Sequence, residues 1–172
     1  MSVTQTGLEY VMKKAIVVTG LPASGKTTIA QKLAADLGFA FLDKDDFLER
    51  LFDRSEVCSL ADRRRLSRTS DQMFKEAALQ STTAVLVSHW RPLQTDDDSG
   101  TPSEWVSQHY DQIVEVFCDC PEHIALSRFL KRTRHSGHLD HQQHATALAQ
   151  KLASWSQRFP LGVGPLITIH TH

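Results

Sequence analysis

The octapeptide Gly20-Leu21-Pro22-Ala23-Ser24-Gly25-Lys26-Thr27 constrains this chain more than any other stretch, and it directly follows the apolar run "AIVV". It fits G-x-x-x-x-G-K-[ST] at every fixed position. Glycines at this spacing reach backbone angles closed to other residues, so successive N–H groups can turn inward onto phosphate oxygens. Lys26 then reaches the β- and γ-phosphates, and Thr27 offers its hydroxyl to Mg2+. Leu21, Pro22, Ala23, Ser24 and Thr28 complete the expected cradle. Next, Ile29, Leu33 and Leu37 fall at helical spacing with Ala30 and Ala34 beside them. A helix starting here aims its positive end at the phosphates. Strand, glycine loop and helix in this order predict a site for a nucleoside triphosphate with Mg2+, ATP being the expected one.

Five apolar, β-rich runs recur along the chain, at 15–20, 39–44, 83–90, 113–120 and 165–171. Helical patterns separate them. Ser59 is placed to cap a helix with Leu66, Met73 and Ala77 on one face, Pro102 and Pro121 stand near the starts of two more, and Ala145, Leu148, Leu152, Trp155 and Phe159 form a stripe. Near-continuous apolar strands alternating with helices predict an α/β fold of the P-loop class, with a five-stranded parallel sheet covered by helices on both faces. Ligands in such sheets bind outside the carboxyl ends of the strands. The other strand ends are therefore expected to build the rest of the site.

The 172 residues fit one domain, 1–172, with the first 14 residues loosely attached. A net charge of −1 lacks the basic footprint of a dedicated nucleic-acid binder. The three cysteines, Cys58, Cys118 and Cys120, form no disulfide framework and suggest reduced thiols in a cytoplasm. No window approaches the length of a membrane span, so no membrane partner is expected. Residues 93–102, with Asp96, Asp97 and Asp98, read as an exposed loop whose carboxylates could alternatively approach Mg2+. A monomer or a homodimer is equally compatible with the sequence.

The glycine loop is shared by GTPases, motors and kinases. An N-K-x-D run, as in GTPases, is absent, as is an apolar strand ending in DE or DxxG. The second strand instead ends "FLDKDDF". Asp43 and Asp45 would share one side if the strand continued. Asp45 could accept a proton from a substrate hydroxyl, as phosphoryl transfer to an alcohol requires, or the three aspartates could simply begin a helix, with Asp46 as its cap. Further on, "RFLKRTRHSGHLD" gathers Arg128, Lys131, Arg132 and Arg134. Arg128 and Arg132, four residues apart, can stabilise charge on the transferring phosphoryl group, and Gly137 supplies a turn for a lid over about 132–144. "SHWRP" is expected to point His89, Trp90 and Arg91 into an acceptor pocket, with Trp90 either stacking on substrate or packing in the core. The run "DRRRLSR", 62–68, reads as a solvated face or as a contact to a charged substrate. His135, His138, His141 and His144 recur at a spacing that drifts around a helix, which disfavours a shared metal.

"GLPASGKTTIAQKLAADLG…FLDKDDF…RFLKRTRHSGHLD" resembles the small P-loop kinases grouped with AAA-type ATP-binding proteins, among them polynucleotide 5′-kinases, chloramphenicol phosphotransferase and zeta-toxin-type kinases. The resemblance runs from about Ala15 to Thr171. It implies that Asp45 is the general base, that Lys26, Arg128 and Arg132 are catalytic, that one of these two arginines packs against adenine, and that Arg128 is among the nucleotide-binding residues. It implies that the loop 162–165, Gly164 included, lines the adenine pocket. His138 belongs on this reading to the lid or substrate face, joining Asp43, Asp45, His89, Arg91 and Arg134 around the acceptor. Polynucleotide kinases carry a substrate-binding arginine three residues after the base, where this chain has Leu48. A small-molecule hydroxyl is thus the expected acceptor. A nucleic-acid 5′-hydroxyl, or an ATPase without an acceptor, are the rivals.

Overall fold

The computed structural model describes residues 11–93 and 99–172; the expectations for the first ten residues and for Asp96, Asp97 and Asp98 lie outside them. Five strands, β1 (Lys14–Gly20), β2 (Ala40–Asp43), β3 (Thr83–Val87), β4 (Gln112–Asp119) and β5 (Leu166–His170), form one sheet in the order β2-β3-β1-β4-β5. All four pairings are parallel. The helices are α1 (Lys26–Leu37), α2 (Lys44–Phe52), α3 (Leu60–Leu79), α4 (Glu104–His109), α5 (Glu122–Lys131) and α6 (Ala145–Ser156), with two 3-10 turns, Ser136–His138 and Asp140–Gln142, between the last two.

Alternation along the strands divides the core between the two faces. Ala15, Val17, Ala84 and Leu86 pack with Phe74 and Ala78 of α3 and Trp105 and Val106 of α4. Val18, Val85, Val87, Val116 and Cys118 pack against Ala30 and Ala34 of α1. Each fully buried valine or leucine contributes about 1.5–3 kcal/mol relative to exposure. The alanines, not the larger residues, make the buried stripe of α1, because a small side chain lets the helix lie close on the sheet; Leu37 is largely exposed. On α3, capped as expected by Ser59, the buried stripe is Leu66, Ser70, Phe74 and Ala78 rather than Leu66, Met73 and Ala77. Ser70 is tolerated there because its hydroxyl donates to the Ser67 carbonyl.

A buried carboxylate ties the sheet to the chain that enters β5. Glu115, on β4, accepts from Thr19 Oγ1 (2.8 Å) and from the backbone N–H groups of Leu161 (2.7 Å) and Gly162 (2.8 Å). This corrects the adenine-pocket expectation for Gly164. In a parallel sheet the segment entering β5 lies at the amino edge, opposite the glycine loop. A Cβ on Gly164 would meet the Ile113 carbonyl oxygen at 2.5 Å, so glycine is needed there for close packing on β4. Among the described residues, no helix is long and apolar enough to cross a membrane.

Candidate active site

The glycine loop leaves β1 and enters α1 through three residues at positive φ, Gly20 (133°), Ala23 (62°) and Gly25 (93°), the last at the helix N-cap. A side chain on Gly20 would also come within 2.6 Å of the Cys118 carbonyl oxygen. Lys26 Nζ donates to the carbonyls of Gly20 (3.0 Å) and Leu21 (2.7 Å). Burial lowers the amine to about 8 despite the nearby Asp43 and Asp45, which still leaves it mostly protonated at neutral pH. Pro22, Ala23, Gly25, Lys26, Thr27 and Thr28 line a cavity of about 710 Å3, while Leu21 and Ser24 are buried behind it.

The strand β2 ends at Asp43, and α2 begins with the next residue because Asp43 itself is the cap: its Oδ1 accepts the Asp45 N–H at 3.0 Å. The expected cap, Asp46, is an exposed residue of the first turn. Asp43 Oδ2 accepts from Thr27 Oγ1 at 2.7 Å, joining the second strand to the glycine loop. Burial, and then repulsion from Asp45, pushes the Asp43 carboxyl up to about 6. This hydroxyl–carboxylate pair is the hard oxygen donor set that suits Mg2+, with Thr27 and Asp43 as the residues to hold it directly or through water. Asp43 thus stands at the Thr27 end of the cavity.

Asp45 faces the cavity half-exposed, and Arg134 Nη2 donates to its Oδ2. Burial alone would raise this carboxyl, but Arg134 foremost holds it below its ordinary value. Arg128, Arg132 and Arg134 all line the cavity. Arg128 is anchored by donating to the Thr171 carbonyl at 2.7 Å, at the carboxyl end of β5. Arg132 lies 3.9 Å over the Phe129 ring and 3.6 Å from Asp140, which is also 3.6 Å from Arg134. Burial first, then Arg134, lowers Arg132 to about 10.

Segment 132–144 is fastened to α2. His135 Nε2 lies 3.1 Å from Asp53 and His138 Nε2 2.8 Å from Glu49, and both rings pack on Phe52. A Cβ on Gly137 would sit 2.5 Å from Phe52 Cγ; glycine is required by that ring, not by a turn. His138 is therefore not a substrate ligand: it is buried at 1% exposure beneath the segment, outside the cavity wall.

From the end of β3, His89 and Arg91 reach the cavity and Trp90 does not. Trp90 is fully buried, its indole N–H donating to the Val18 carbonyl at 3.0 Å and its ring packed beside Phe74. Alternation along the chain sends it to the core as its two neighbours turn outward. Stacking on substrate is thereby excluded. His89 packs on Trp155 with ring centroids 4.5 Å apart, and neither ring nitrogen has a partner among the described residues. Burial, with Lys26 nearby, lowers it to about 3, so it is neutral.

The solvated-face reading of residues 62–68 also fails in part. Arg63, Arg64, Ser67, Arg68 and Asp71 of α3 line the cavity. Their spacing, i, i+1, i+4, i+5 and i+8, is one helical stripe beside the buried one, and that periodicity is the signal in the sequence that could have found them.

A solved structure of a candidate kinase from Chloroflexus aurantiacus J-10-fl superposes with a TM-score of 0.72 at 27% identity, over 93% of this chain and 89% of that one. Shikimate kinase from Bacteroides thetaiotaomicron has a similar fold (TM-score 0.59, 18% identity, 91% and 86% covered). A shikimate kinase from Thermoanaerobacter pseudethanolicus is 45% identical over 38 residues, a match spanning only 22% of either protein. A family model described as an AAA domain matches residues 16–155, most of the chain. With its glycine loop, parallel sheet and arginine-lined cavity, the chain belongs to that AAA-domain family and has the fold of the small P-loop kinases.

Proposed function

We propose that the protein is an ATP-dependent kinase that moves the γ-phosphoryl group to a hydroxyl of a small molecule. The observation that carries this reading is the meeting of Lys26, the Thr27–Asp43 pair and Asp45 in one cavity. The loop amides and Lys26 bind the phosphate chain, with Lys26 exchanging the carbonyls of Gly20 and Leu21 for phosphate oxygens. Mg2+, held at Thr27 and Asp43, would neutralise phosphate charge. Asp45 orients the acceptor and takes its proton as the alcohol oxygen bonds to the γ-phosphorus and the bond to the β-phosphate oxygen breaks, releasing ADP. Arg128 and Arg132 balance charge spreading over the transferred group.

Leu48 favours a small acceptor over a nucleic-acid end: it is 1% exposed and packed with Phe52 and Leu66, so the first turns of α2 offer no cation to a polynucleotide at that position. The test is transfer from γ-labelled ATP with Mg2+ into pooled sugars, sugar acids, nucleosides and nucleic-acid 5′-hydroxyl ends, with Asp45→Asn and Lys26→Ala alongside. Label in a small-molecule pool, lost in both variants, is expected. Phosphate released only to water, at equal rates with and without Asp45, would exclude the kinase.

A further inference from the structure

The cavity is strongly cationic. Among the described residues, nine basic side chains line it against four carboxylates, Asp43, Asp45, Asp71 and Asp140. Phosphates of a nucleotide account for the cations near the glycine loop. They do not account for α3. There the nearby carboxylates are already engaged: Asp45 with Arg134, Asp140 with Arg132 and Arg134, and Asp71 3.7 Å from Lys44. Arg63 is left with a buried Nε that has no acceptor among the described residues. Desolvation, and then the charge of Arg134, depress its pKa, so its charge is under electrostatic pressure to find an anion. In the same cavity, Arg132 Nε and Asp140 Oδ1 are also buried without a partner among the described residues. Orphaned polar atoms of this kind cost free energy unless a ligand satisfies them.

We propose that the acceptor is itself an anion, a small alcohol bearing a carboxylate or phosphoryl group, and that Arg63 on α3 is the residue that recognises this group. The proposal rests on the kinase reading for the word acceptor, but the anion site stands on the geometry alone. Arg63 presents a planar fork suited to two oxygens of a carboxylate or phosphate. Its neighbours Arg64 and Arg68 continue the same face. Asp140 Oδ1 is free to accept from a hydroxyl of the same molecule. The anion would be fixed beside Arg63, while Asp45, on the adjoining helix α2, meets the reacting hydroxyl.

Two measurements separate this site from the kinase reading. First, protein saturated with Mg2+ and a non-hydrolysable ATP analogue is titrated calorimetrically with inorganic phosphate and with gluconate. A further equivalent of at least one anion is expected to bind, about tenfold or more weaker in Arg63→Gln and partly restored in Arg63→Lys, with melting temperature and nucleotide affinity unchanged. If neither anion binds beside the nucleotide, or binding ignores Arg63, the proposal is overturned. Second, label transfer is compared between hydroxy acids and sugar phosphates on one side and their neutral esters or parent sugars on the other. Transfer confined to one anionic set, with KM for that acceptor raised in Arg63→Gln and KM for ATP constant, supports the site and identifies carboxylate or phosphate. Equal use of neutral alcohols, or labelling of nucleic-acid ends alone, overturns it. Anion binding dependent on Arg63 without transfer to any alcohol would instead reject the kinase reading and keep the anion site.

Discussion

The guanidinium of Arg134 is bonded to the carboxylate of Asp45, linking segment 132–144 to the first turn of α2 across the cavity. The contact sets the proton affinity of the group assigned as base. The pairing keeps the Asp45 carboxyl ionised to lower pH than an ordinary carboxyl, and it also fixes where the carboxylate points.

Replacing Asp45 with Asn is expected to lower kcat about 100- to 10,000-fold with little change in KM for ATP. In Arg134→Gln, the Asp45 carboxyl rises toward its ordinary value, because the largest attraction holding it down is gone. The acid limb of the kcat/KM profile should therefore move to higher pH. A pH–rate series on wild type and Arg134→Gln checks this; superimposable limbs would mean that another group limits the rate.

Asp43 behaves oppositely. Its carboxyl, raised to about 6 in the fold against an ordinary value near 4, favours the folded state when protonated. That contribution is complete below about pH 4 and is lost as pH rises through about 6. Asp43→Asn should thus gain in melting temperature relative to wild type as metal-free samples are taken from pH 4 to 7. Ionised Asp43 is the form that serves Mg2+, so the same variant should need about tenfold or more Mg2+ for half-maximal turnover.

Two neutral histidines, His138 in the core and His89 half-buried in the cavity wall, make the fold sensitive to acid. Burial depresses both His89 and His138 to about 3. In the unfolded chain they take protons below about pH 6.5, while the folded protein refuses them until about 3, so stability falls with pH across that window. His138→Gln should flatten this loss in thermal denaturation scans between pH 7 and 4. An unchanged slope would show that other groups dominate.

Gly137→Ala should displace the segment from Phe52 and cost about 1–3 kcal/mol, since the new methyl would meet the Cγ end of a buried ring. Trimming Phe52 to Leu in the same chain should recover part of the loss. Denaturant titration of the single and double variants measures the coupling.

Much of the architecture was legible from local pattern. The glycine loop, the five strands and the helix following each turn depend on spacing within single segments, and neighbouring residues carry that information. The sequence also held Asp45, Arg128, Arg132 and Arg134 as candidates, all of which line the cavity. Other features belong to the tertiary structure. The pairing of Thr27 with Asp43 needs two segments brought together at the carboxyl edge of the sheet. Gly164 lies at the opposite edge because a strand parallel to β4 must be entered from there. Trp90 and His89 are adjacent in the chain, yet one is core and the other cavity wall, and His138 turns under its segment to meet Glu49. Arg63 is one arginine among several on a helix until the fold sets it against Arg134, Asp45 and Asp140. Periodicity tells which side of an element a residue occupies; what that side faces is decided by strand order and helix packing, which join residues far apart in the chain.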